Sequence, residues 1–408
     1  MNRRQFLLHS TITAGLGLSW KAWAMPTTGP TPAPRLLVVM LRGAYDGASL
    51  LVPHGFPFYY AARPNIAIAK PNPENPNAAL DIGQGYGLHP AVAPSLYALF
   101  QARQAVLIPF SGSAAQSRSH FEAQDRMELG QDPHDRDGLD YTSGFLNRLV
   151  AVLQKGERKT RGMSFTANIT PIFKGGMEIP NINLQGRGNA RVDTRQVQLL
   201  ESLYQGQSMS SYVQEGIQTR QQVSVILEKE MKEASRGAVK ANGFEKQARA
   251  IAALMRDHSA YSLGFVDVGG WDTHVNQGTA TGALATNLAN LGAGLSGFAA
   301  ELGAEAWRNT VVVVLSEFGR TFHENGNRGT DHGHGNTLWI LGGAISGGKL
   351  VGELTDVHQN TLFQNRDLPL LNDYRGVLSY VLSQMYGLNA GQRETVFPGS
   401  VIRDYGIL

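Results

Sequence analysis

Five mostly apolar runs along the chain have the pattern of strands that are buried on both faces of a sheet. They are LLVVML at 36–41, AVLIPF at 105–110, SLGFVDV at 262–268, TVVVVLS at 310–316 and TLWILGG at 337–343. Segments with helical character lie between and after them, at 89–103, 119–130, 144–154, 284–303 and 373–387. Buried strands that alternate with helices predict an α/β fold in which helices cover both faces of a parallel sheet. The sequence has no internal repeat and no second linker, which favours one large domain.

Two of the polar segments carry further structural signals. The segment at 119–130 begins with Ser119, has Glu122 three residues later and ends in Gly130, which predicts a helix that starts with a capping box. The region 190–258 is rich in lysine and glutamate, as in LEKEMKEASR. This composition is typical of a solvent-exposed helix face and does not indicate a binding site.

The first 24 residues differ from the rest of the chain. Paired arginines in NRRQFLL precede a short apolar stretch, and KAWA ends in the small-x-small pattern of a cleavage site. This arrangement predicts a twin-arginine signal peptide over 1–24, a proline-rich spacer over 25–34 and one domain over 35–408. The alternative is an N-terminal membrane anchor, but the apolar stretch is short for a bilayer and a lysine interrupts it.

This signal defines the expected compartment and the expected partners. The twin-arginine translocase is the predicted partner during export, and the mature protein is expected in the periplasm or outside the cell, without an integral membrane span. The formal net charge is +3, and the signal segment holds three basic residues and no acid, so the mature part is near neutral. The sequence has no basic arm or patch, which argues against a nucleic-acid partner.

Polar side chains follow the predicted strands at the point where each strand ends. Asp46 follows the first run, Ser119 and His120 follow the second, and Asp272 and His274 follow the third. Ligands of open parallel sheets bind beyond the carboxyl ends of the strands, so these side chains are expected to lie at one edge. The chain has no cysteine, so a metal ion there would be bound by histidine, aspartate and glutamate.

The segment RGTDHGHGN at 328–336 holds the densest group of such residues. Its glycines would each cost roughly 1 kcal/mol in a helix interior, and they let the backbone bend so that neighbouring ligands point together. Glu317 and Arg320 directly follow the fourth apolar run. The candidate metal ligands are therefore Asp46, Asp272, His274, Glu317, Asp331, His332 and His334. This set is larger than one tetrahedral ion needs, and it predicts two divalent ions (Zn, Mn, Mg or Ca) that bridge a phosphate-like group.

The motifs LRGAYDG, SRSHFEAQDRMELG, GGWDTH, SEFGRT and GTDHGHG behind a twin-arginine signal resemble a bacterial family classed as a domain of unknown function, number 1501. That family is similar to the alkaline phosphatase and sulfatase superfamily. The resemblance implies a three-layer α/β sandwich with a mainly parallel central sheet, a two-metal site and a nucleophile near Ser119. It also implies Asp46 as the first-strand ligand and Asp272 with His274 as a ligand pair. One motif differs, because Glu317 and a phenylalanine stand where many superfamily members have Asp-His.

Two functions from different classes fit these residues. The first is an exported metal-dependent hydrolase of phosphate or related esters. In it Ser119 is the nucleophile and His120 lies beside it. Arg42, Arg118 or Arg320 helps to stabilise the negative charge that develops on an anionic ester substrate. The second is a non-catalytic exported binding or assembly protein that retains the fold. Ser119 also fits a purely structural role as the N-cap of its helix, which needs no catalysis.

Overall fold

The strands that the structure describes belong to an eight-stranded central sheet and a small three-stranded sheet. The computed structural model describes residues 34–408 except for 116, 133–137, 156–159, 168, 185–201, 208, 212, 216–242 and 259. The strands are β1 Arg35–Leu41, β2 Leu51–Val52, β3 Leu80–Gly83, β4 Tyr86–Leu88, β5 Ala105–Gly112, β6 Arg161–Ser164, β7 Tyr261–Val268, β8 Thr310–Ser316, β9 Asn336–Gly342, β10 Lys349–Leu350 and β11 Asn372–Asp373. The helices are α1 Gly47–Leu50, α2 Pro57–Ala62, α3 Ala98–Gln101, α4 His120–Leu129, α5 Phe145–Gln154, α6 Phe244–Asp257, α7 Ala283–Arg308, α8 Tyr374–Tyr386 and α9 Ala390–Val396.

The central sheet has the strand order β10-β5-β9-β8-β1-β7-β6, and β11 also pairs with β5. β1 lies in the middle and is parallel to both of its neighbours, β7 and β8. β9 is antiparallel to its two neighbours, β5 and β8. The remaining pairs in this sheet are parallel. The sheet is therefore mainly parallel, which confirms the predicted α/β class.

The direction of β9 follows from its connection to β8. A parallel strand would need a crossover of a dozen or more residues, usually a helix, to return the chain to the opposite edge. Residues 317–335 contain no helix and connect the two antiparallel neighbours at one edge of the sheet. The segment 328–336 therefore lies beyond the carboxyl ends of the parallel strands, although it precedes its own strand.

Alternate residues of β1 belong to two separate hydrophobic clusters. Leu37 and Val39 pack in a cluster that contains residues of α6 and α7, whereas Leu36 and Val38 pack in a cluster that contains residues of α5 and α8. All four side chains are buried. Because successive strand residues point to opposite faces, one apolar run fills both helix–sheet interfaces. The protein is thus a three-layer sandwich, as the sequence resemblance implied.

The predicted helix over 89–103 is less regular than expected. It consists of a 3-10 turn at Pro90–Val92, a π-helical turn at Ala93–Tyr97 and the short α3. Pro90 and Pro94 each lack a backbone N–H, and a proline ring clashes with the preceding helical turn, so one continuous α-helix does not form.

The predicted signal peptide over 1–24 and all but the last residue of the spacer over 25–34 lie outside the described residues. So does most of the region 190–258, whose last part forms α6. Residues 33–408 form one compact unit. Among the described helices, none is long and apolar enough to cross a membrane.

Candidate metal site at the carboxyl edge of the sheet

Side chains from three connections meet beyond the carboxyl ends of the parallel strands. One comes from the start of α4 after β5, two follow β7, two follow β8, and two precede the antiparallel β9. In chain order they are His120, Asp272, His274, Glu317, Arg320, Asp331 and His332. The strand-end pattern therefore locates most of the group, and the reversed β9 brings in the last two residues.

The centre of this group consists of imidazole nitrogens and one carboxylate oxygen. His120, Asp272 and His332 each offer a donor atom, and these atoms lie within 4.8 Å of one another. His120 Nε2 is 2.9 Å from His332 Nε2, and Asp272 Oδ1 is 3.6 Å and 3.5 Å from these two nitrogens. His274 Nε2 lies beside them, 3.0 Å from His332 Nε2 and 2.9 Å from Asp272 Oδ1.

The other nitrogen of each ring is held by an oxygen acceptor. Because these acceptors are carboxylates or a carbonyl, each Nδ1 carries the proton and donates the hydrogen bond. Such outer partners fix the orientation of metal-binding histidines. The three contacts are His120 Nδ1 to Glu317 Oε1 at 2.8 Å, His332 Nδ1 to the Arg118 carbonyl at 2.9 Å, and His274 Nδ1 to Asp331 Oδ1 at 3.1 Å.

When the rings are neutral, this tautomer turns the lone pairs of their Nε2 atoms toward one another. His332 Nε2 faces two such nitrogens, those of His120 and His274, at 2.9 Å and 3.0 Å. One added proton can satisfy only one of these two contacts, whereas a cation close to all three nitrogens satisfies both. The donor set therefore fits a metal ion better than it fits a purely hydrogen-bonded cluster.

Glu317 supports this group from a buried position. Its carboxylate accepts hydrogen bonds from His120, Gln124, Ser316 and the Gly43 N–H, at 2.8 to 2.9 Å. Burial alone would raise the pKa of Glu317, but these hydrogen bonds hold it below the usual value. The hydrogen bond to Glu317 raises the pKa of His120. Glu317 was predicted as a metal ligand, and its carboxylate contacts His120, one of the three residues of the donor group.

Arg320 was predicted to stabilise negative charge on a substrate. Its side chain is buried, and it donates to the backbone carbonyls of Ala44, Thr330, Gly43 and Trp271 and to the Asp272 carboxylate. All five N–H groups of an arginine are accounted for when the neighbouring His274 Nε2 is included. Burial opposes ionisation of Asp272, but the ion pair with Arg320 holds its pKa below the usual value. Arg320 is therefore placed to position Asp272, and its N–H groups are not free for a substrate.

Asp46 also lies outside the donor group. Its carboxylate is buried and forms an ion pair with the buried guanidinium of Arg63, with distances of 2.5 Å and 3.0 Å. Ser49 and Gln277 donate two further hydrogen bonds, at 2.7 Å and 2.8 Å. Burial alone would raise the pKa of Asp46, but Arg63 and these hydrogen bonds hold it below its ordinary value. The predicted metal-ligand role of Asp46 has no support in this geometry.

His334 and Asp331 take different positions around the site. The His334 ring stacks on Phe363 with 4.8 Å between ring centroids, and burial lowers its pKa. It does not belong to the donor group that the described residues form. Asp331 is half-exposed and accepts from His274 and Asn325, so it orients His274. Of the DHGH segment, only His332 supplies a donor atom to the centre of the site.

Ser119 occupies the N-cap position of α4, as predicted, but the capping box does not form. Its side chain makes no capping hydrogen bond, and the residue is exposed. Glu122 instead accepts from Ser117 at 2.8 Å and from Arg126 at 3.1 Å. The Ser119 hydroxyl therefore does not cap the start of α4. Ser111, another serine near this edge, is buried within β5.

Two residues near the site and one backbone contact were not found from the sequence. Arg63 neutralises Asp46, Gln124 links Glu317 to Arg42, and the Arg118 carbonyl orients His332. Neither Arg63 nor Gln124 directly follows a strand or belongs to a spaced His/Asp motif. A backbone carbonyl carries no residue-type signal at all, so only the structure could identify the last contact.

The protein belongs to the class of three-layer α/β sandwiches. It has a mainly parallel sheet between two helical layers, and a group of polar residues lies beyond the strand ends. The family model described as "Protein of unknown function (DUF1501)" matches residues 33–397, and the chain belongs to this family. The sequence resemblance to this family is thus confirmed. No curated protein matches the chain.

Solved structures that are similar to the chain include sulfatase and alkaline phosphatase superfamily proteins. Ps i-CgsB in complex with k-i-k-neocarrahexaose has 11% identity and a TM-score of 0.41, over 89% of this chain and 74% of that chain. A protein in the alkaline phosphatase superfamily from Vibrio parahaemolyticus has 11% identity and a TM-score of 0.37, over 86% and 66% of the two chains. A 2-O GAG sulfatase has 8% identity and a TM-score of 0.39, over 91% and 76%.

Proposed function

We propose that this protein is an exported metal-dependent hydrolase of phosphate or related esters. A divalent ion would be held by His120, Asp272 and His332, with His274 as a further ligand. The observation that carries the proposal is the set of Nε2 atoms at 2.9 to 3.0 Å, whose rings are each held at Nδ1 by an oxygen acceptor. This is the arrangement in which histidine binds a metal ion and an outer partner at the same time.

The donor set favours particular ions. Imidazole nitrogens with one carboxylate suit Zn²⁺ or Mn²⁺ better than Mg²⁺ or Ca²⁺, which prefer oxygen ligands. The sequence predicted two ions, but the geometry supports one. Asp46 is paired with Arg63, and Glu317 is bonded to His120, so neither carboxylate is free to hold a second ion.

Different residues of the chain would have different roles in ester hydrolysis. A bound divalent ion would supply positive charge that stabilises an anionic ester and the charge that develops on transfer. Ser119 is next to the ligand His120, its hydroxyl is not used for capping, and it is exposed to an incoming substrate. Arg320 and Glu317 would hold Asp272 and His120 in place.

Metal content and ester turnover together test this proposal. Purified protein is expected to retain close to one equivalent of Zn²⁺ or Mn²⁺, measured by mass spectrometry, and to hydrolyse at least one member of a panel of phosphate and sulfate esters. His332→Ala is expected to lose most of the metal and the turnover, because His332 Nε2 contacts two other ligand nitrogens. His54→Ala is the control, since His54 pairs with exposed Asp81 beside the small sheet.

The outcomes separate the two functional classes. Loss of metal with His332→Ala and no turnover by the wild type across the panel would favour the non-catalytic binding or assembly protein. Equal metal content in the His332→Ala, His54→Ala and wild-type proteins would refute the metal site itself.

Export through the twin-arginine pathway makes a separate prediction. Replacing Arg3 and Arg4 by lysine is expected to leave the precursor in the cytoplasm, because this pathway requires the arginine pair. Cell fractionation and immunoblotting measure the distribution, and the wild-type precursor in a strain without the translocase is the control. If the double variant and the wild type in the translocase-free strain both reach the periplasm at normal yield, export uses another route.

A further inference from the structure

Two half-exposed arginines flank His332 outside the candidate metal site. The backbone carbonyl of Arg118 accepts from His332 Nδ1, and Arg366 Nη2 donates to the His332 carbonyl at 2.7 Å. Their side chains are 37% and 39% exposed. Both guanidinium groups are therefore accessible to solvent, and that of Arg366 contacts the backbone of a candidate metal ligand.

A single buried carboxylate holds both arginines. Asp367 is fully buried, and its Oδ2 accepts from Arg118 Nη2 at 2.7 Å. Its Oδ1 lies 3.7 Å from Arg366 Nε, and no hydrogen bond to this oxygen forms among the described residues. One buried carboxylate is thus shared by two guanidinium groups, and only Arg118 forms a hydrogen bond to it.

The turn that carries Arg366 is strained. Phe363 and Asp367 pair through two backbone hydrogen bonds, of 2.8 Å and 3.0 Å. Between them Gln364 and Asn365 have φ values of 54° and 56°, which is left-handed backbone that costs energy outside glycine. Gln364 also accepts from Arg118 at 3.0 Å, so the same turn contacts both arginines. Strain of this kind persists where the surroundings hold it, and it is concentrated at functional sites.

The two arginines keep donors that the rest of the described chain does not use. The hydrogen bonds of Arg118 are made by Nη2, and the hydrogen bond of Arg366 is made by its own Nη2. Each guanidinium therefore retains N–H groups that face no protein acceptor in the described residues. Arg320 is the opposite case, since its N–H groups are all occupied. Guanidinium groups with free donors suit the paired oxygens of phosphate, sulfate or carboxylate.

We propose that Arg118 and Arg366 form a subsite for an oxyanion of the substrate, beside the ester that reacts at Ser119. The place of this subsite in catalysis rests on the proposed hydrolase function, but its binding of an oxyanion does not. The substrate is then an ester that carries a second anionic group. Arg118 directly precedes Ser119, so one arginine of the subsite is the chain neighbour of the proposed nucleophile.

Anion binding by the metal-free protein tests the subsite without any turnover. Full-length mature protein is treated with a chelator and titrated with inorganic phosphate, with binding measured by calorimetry. The wild type is expected to bind phosphate, and Arg118→Gln/Arg366→Gln is expected to bind it about tenfold more weakly or worse, because charge-assisted hydrogen bonds are lost. Parallel titrations with inorganic sulfate and with acetate show which oxyanion the subsite prefers.

Two further variants control for charge and folding. Arg403→Gln removes an exposed arginine that pairs with exposed Glu353, and it is expected to leave phosphate affinity unchanged. Arg118→Gln alone leaves the Arg366 contact with His332 intact, and it is expected to weaken phosphate binding even if the double variant does not fold. The subsite is refuted if the metal-free wild type binds none of the three anions, or if the arginine variants bind them as tightly as the wild type.

The same experiment keeps this inference separate from the proposed function. If phosphate binding depends on the two arginines but no ester is hydrolysed, the subsite is supported and the proposed hydrolase function is contradicted. If the protein hydrolyses esters but the metal-free form binds no anion, the hydrolase function is supported and the subsite is contradicted.

Discussion

Replacing Asp46 by alanine is expected to lower the free energy of unfolding by about 3–5 kcal/mol, the range for breaking one side of a buried ion pair. Arg63 has no solvent exposure and lies over the rings of Tyr59 and Phe322, so its charge would stay buried without the carboxylate that pairs with it. Chemical denaturation followed by circular dichroism measures the change. Metal content per folded molecule is expected to stay at the wild-type value, because Asp46 contacts none of the candidate ligands.

An exposed ion pair provides the matched control. Glu353→Ala removes the partner of Arg403, at 2.7 Å but with both side chains about half exposed, and it is expected to change stability by less than about 1 kcal/mol. A similar small change for Asp46→Ala would show that Arg63 is not dependent on this carboxylate. Loss of bound metal in folded Asp46→Ala protein would restore the predicted ligand role of Asp46.

The same ion pair gives the stability a defined pH dependence. The pKa of Asp46 is held below its ordinary value in the folded protein. A carboxyl group of this kind stabilises the fold fully above its unfolded pKa, about 3.9, and loses this contribution as the pH falls through its lower folded pKa. Acid unfolding is therefore expected to be less steep for Asp46→Ala than for the wild type.

The position of the candidate site could be predicted because it depends on strand ends. Apolar runs identify buried strands, and the polar residue after each run must then lie at an edge of the sheet. Asp272 and Glu317 were located in this way. The direction of β9 could not be predicted, because its apolar run would look the same in either direction. Its antiparallel pairing explains how His332 reaches the site from the start of a strand.

The roles of the predicted residues depend on partners that the sequence does not reveal. Asp46 was expected to bind metal, but Arg63, 17 residues away, is folded against it. His120 was expected beside a nucleophile as a catalytic group, and its Nε2 instead lies among the candidate ligand atoms. An isolated acid or histidine has the same chemistry in either role. Which role it takes is decided by the side chains that other segments bring to it.

The hydroxyl of Ser119 has the largest expected effect on turnover. If Ser119 were a capping residue, Ser119→Ala would lower the free energy of unfolding by about 1 kcal/mol. This side chain, however, makes no capping hydrogen bond. We therefore expect almost no loss of stability. If Ser119 is the nucleophile, turnover of the ester that the wild type hydrolyses fastest is expected to fall roughly 10³-fold or more, because removal of a nucleophile abolishes the covalent route.

Ser117→Ala separates a missing nucleophile from a disturbed helix start. Ser117 donates to Glu122 and accepts from the Ser119 N–H, so its replacement perturbs the same turn while the Ser119 hydroxyl remains. Ser117→Ala is expected to keep turnover within a few-fold of the wild type, and both variants are expected to keep their metal. Single-turnover kinetics with metal analysis of each sample make the comparison. If Ser119→Ala hydrolyses the ester at the wild-type rate, another group is the nucleophile. If both variants lose turnover equally, catalysis depends on the geometry of the turn and not on the Ser119 hydroxyl.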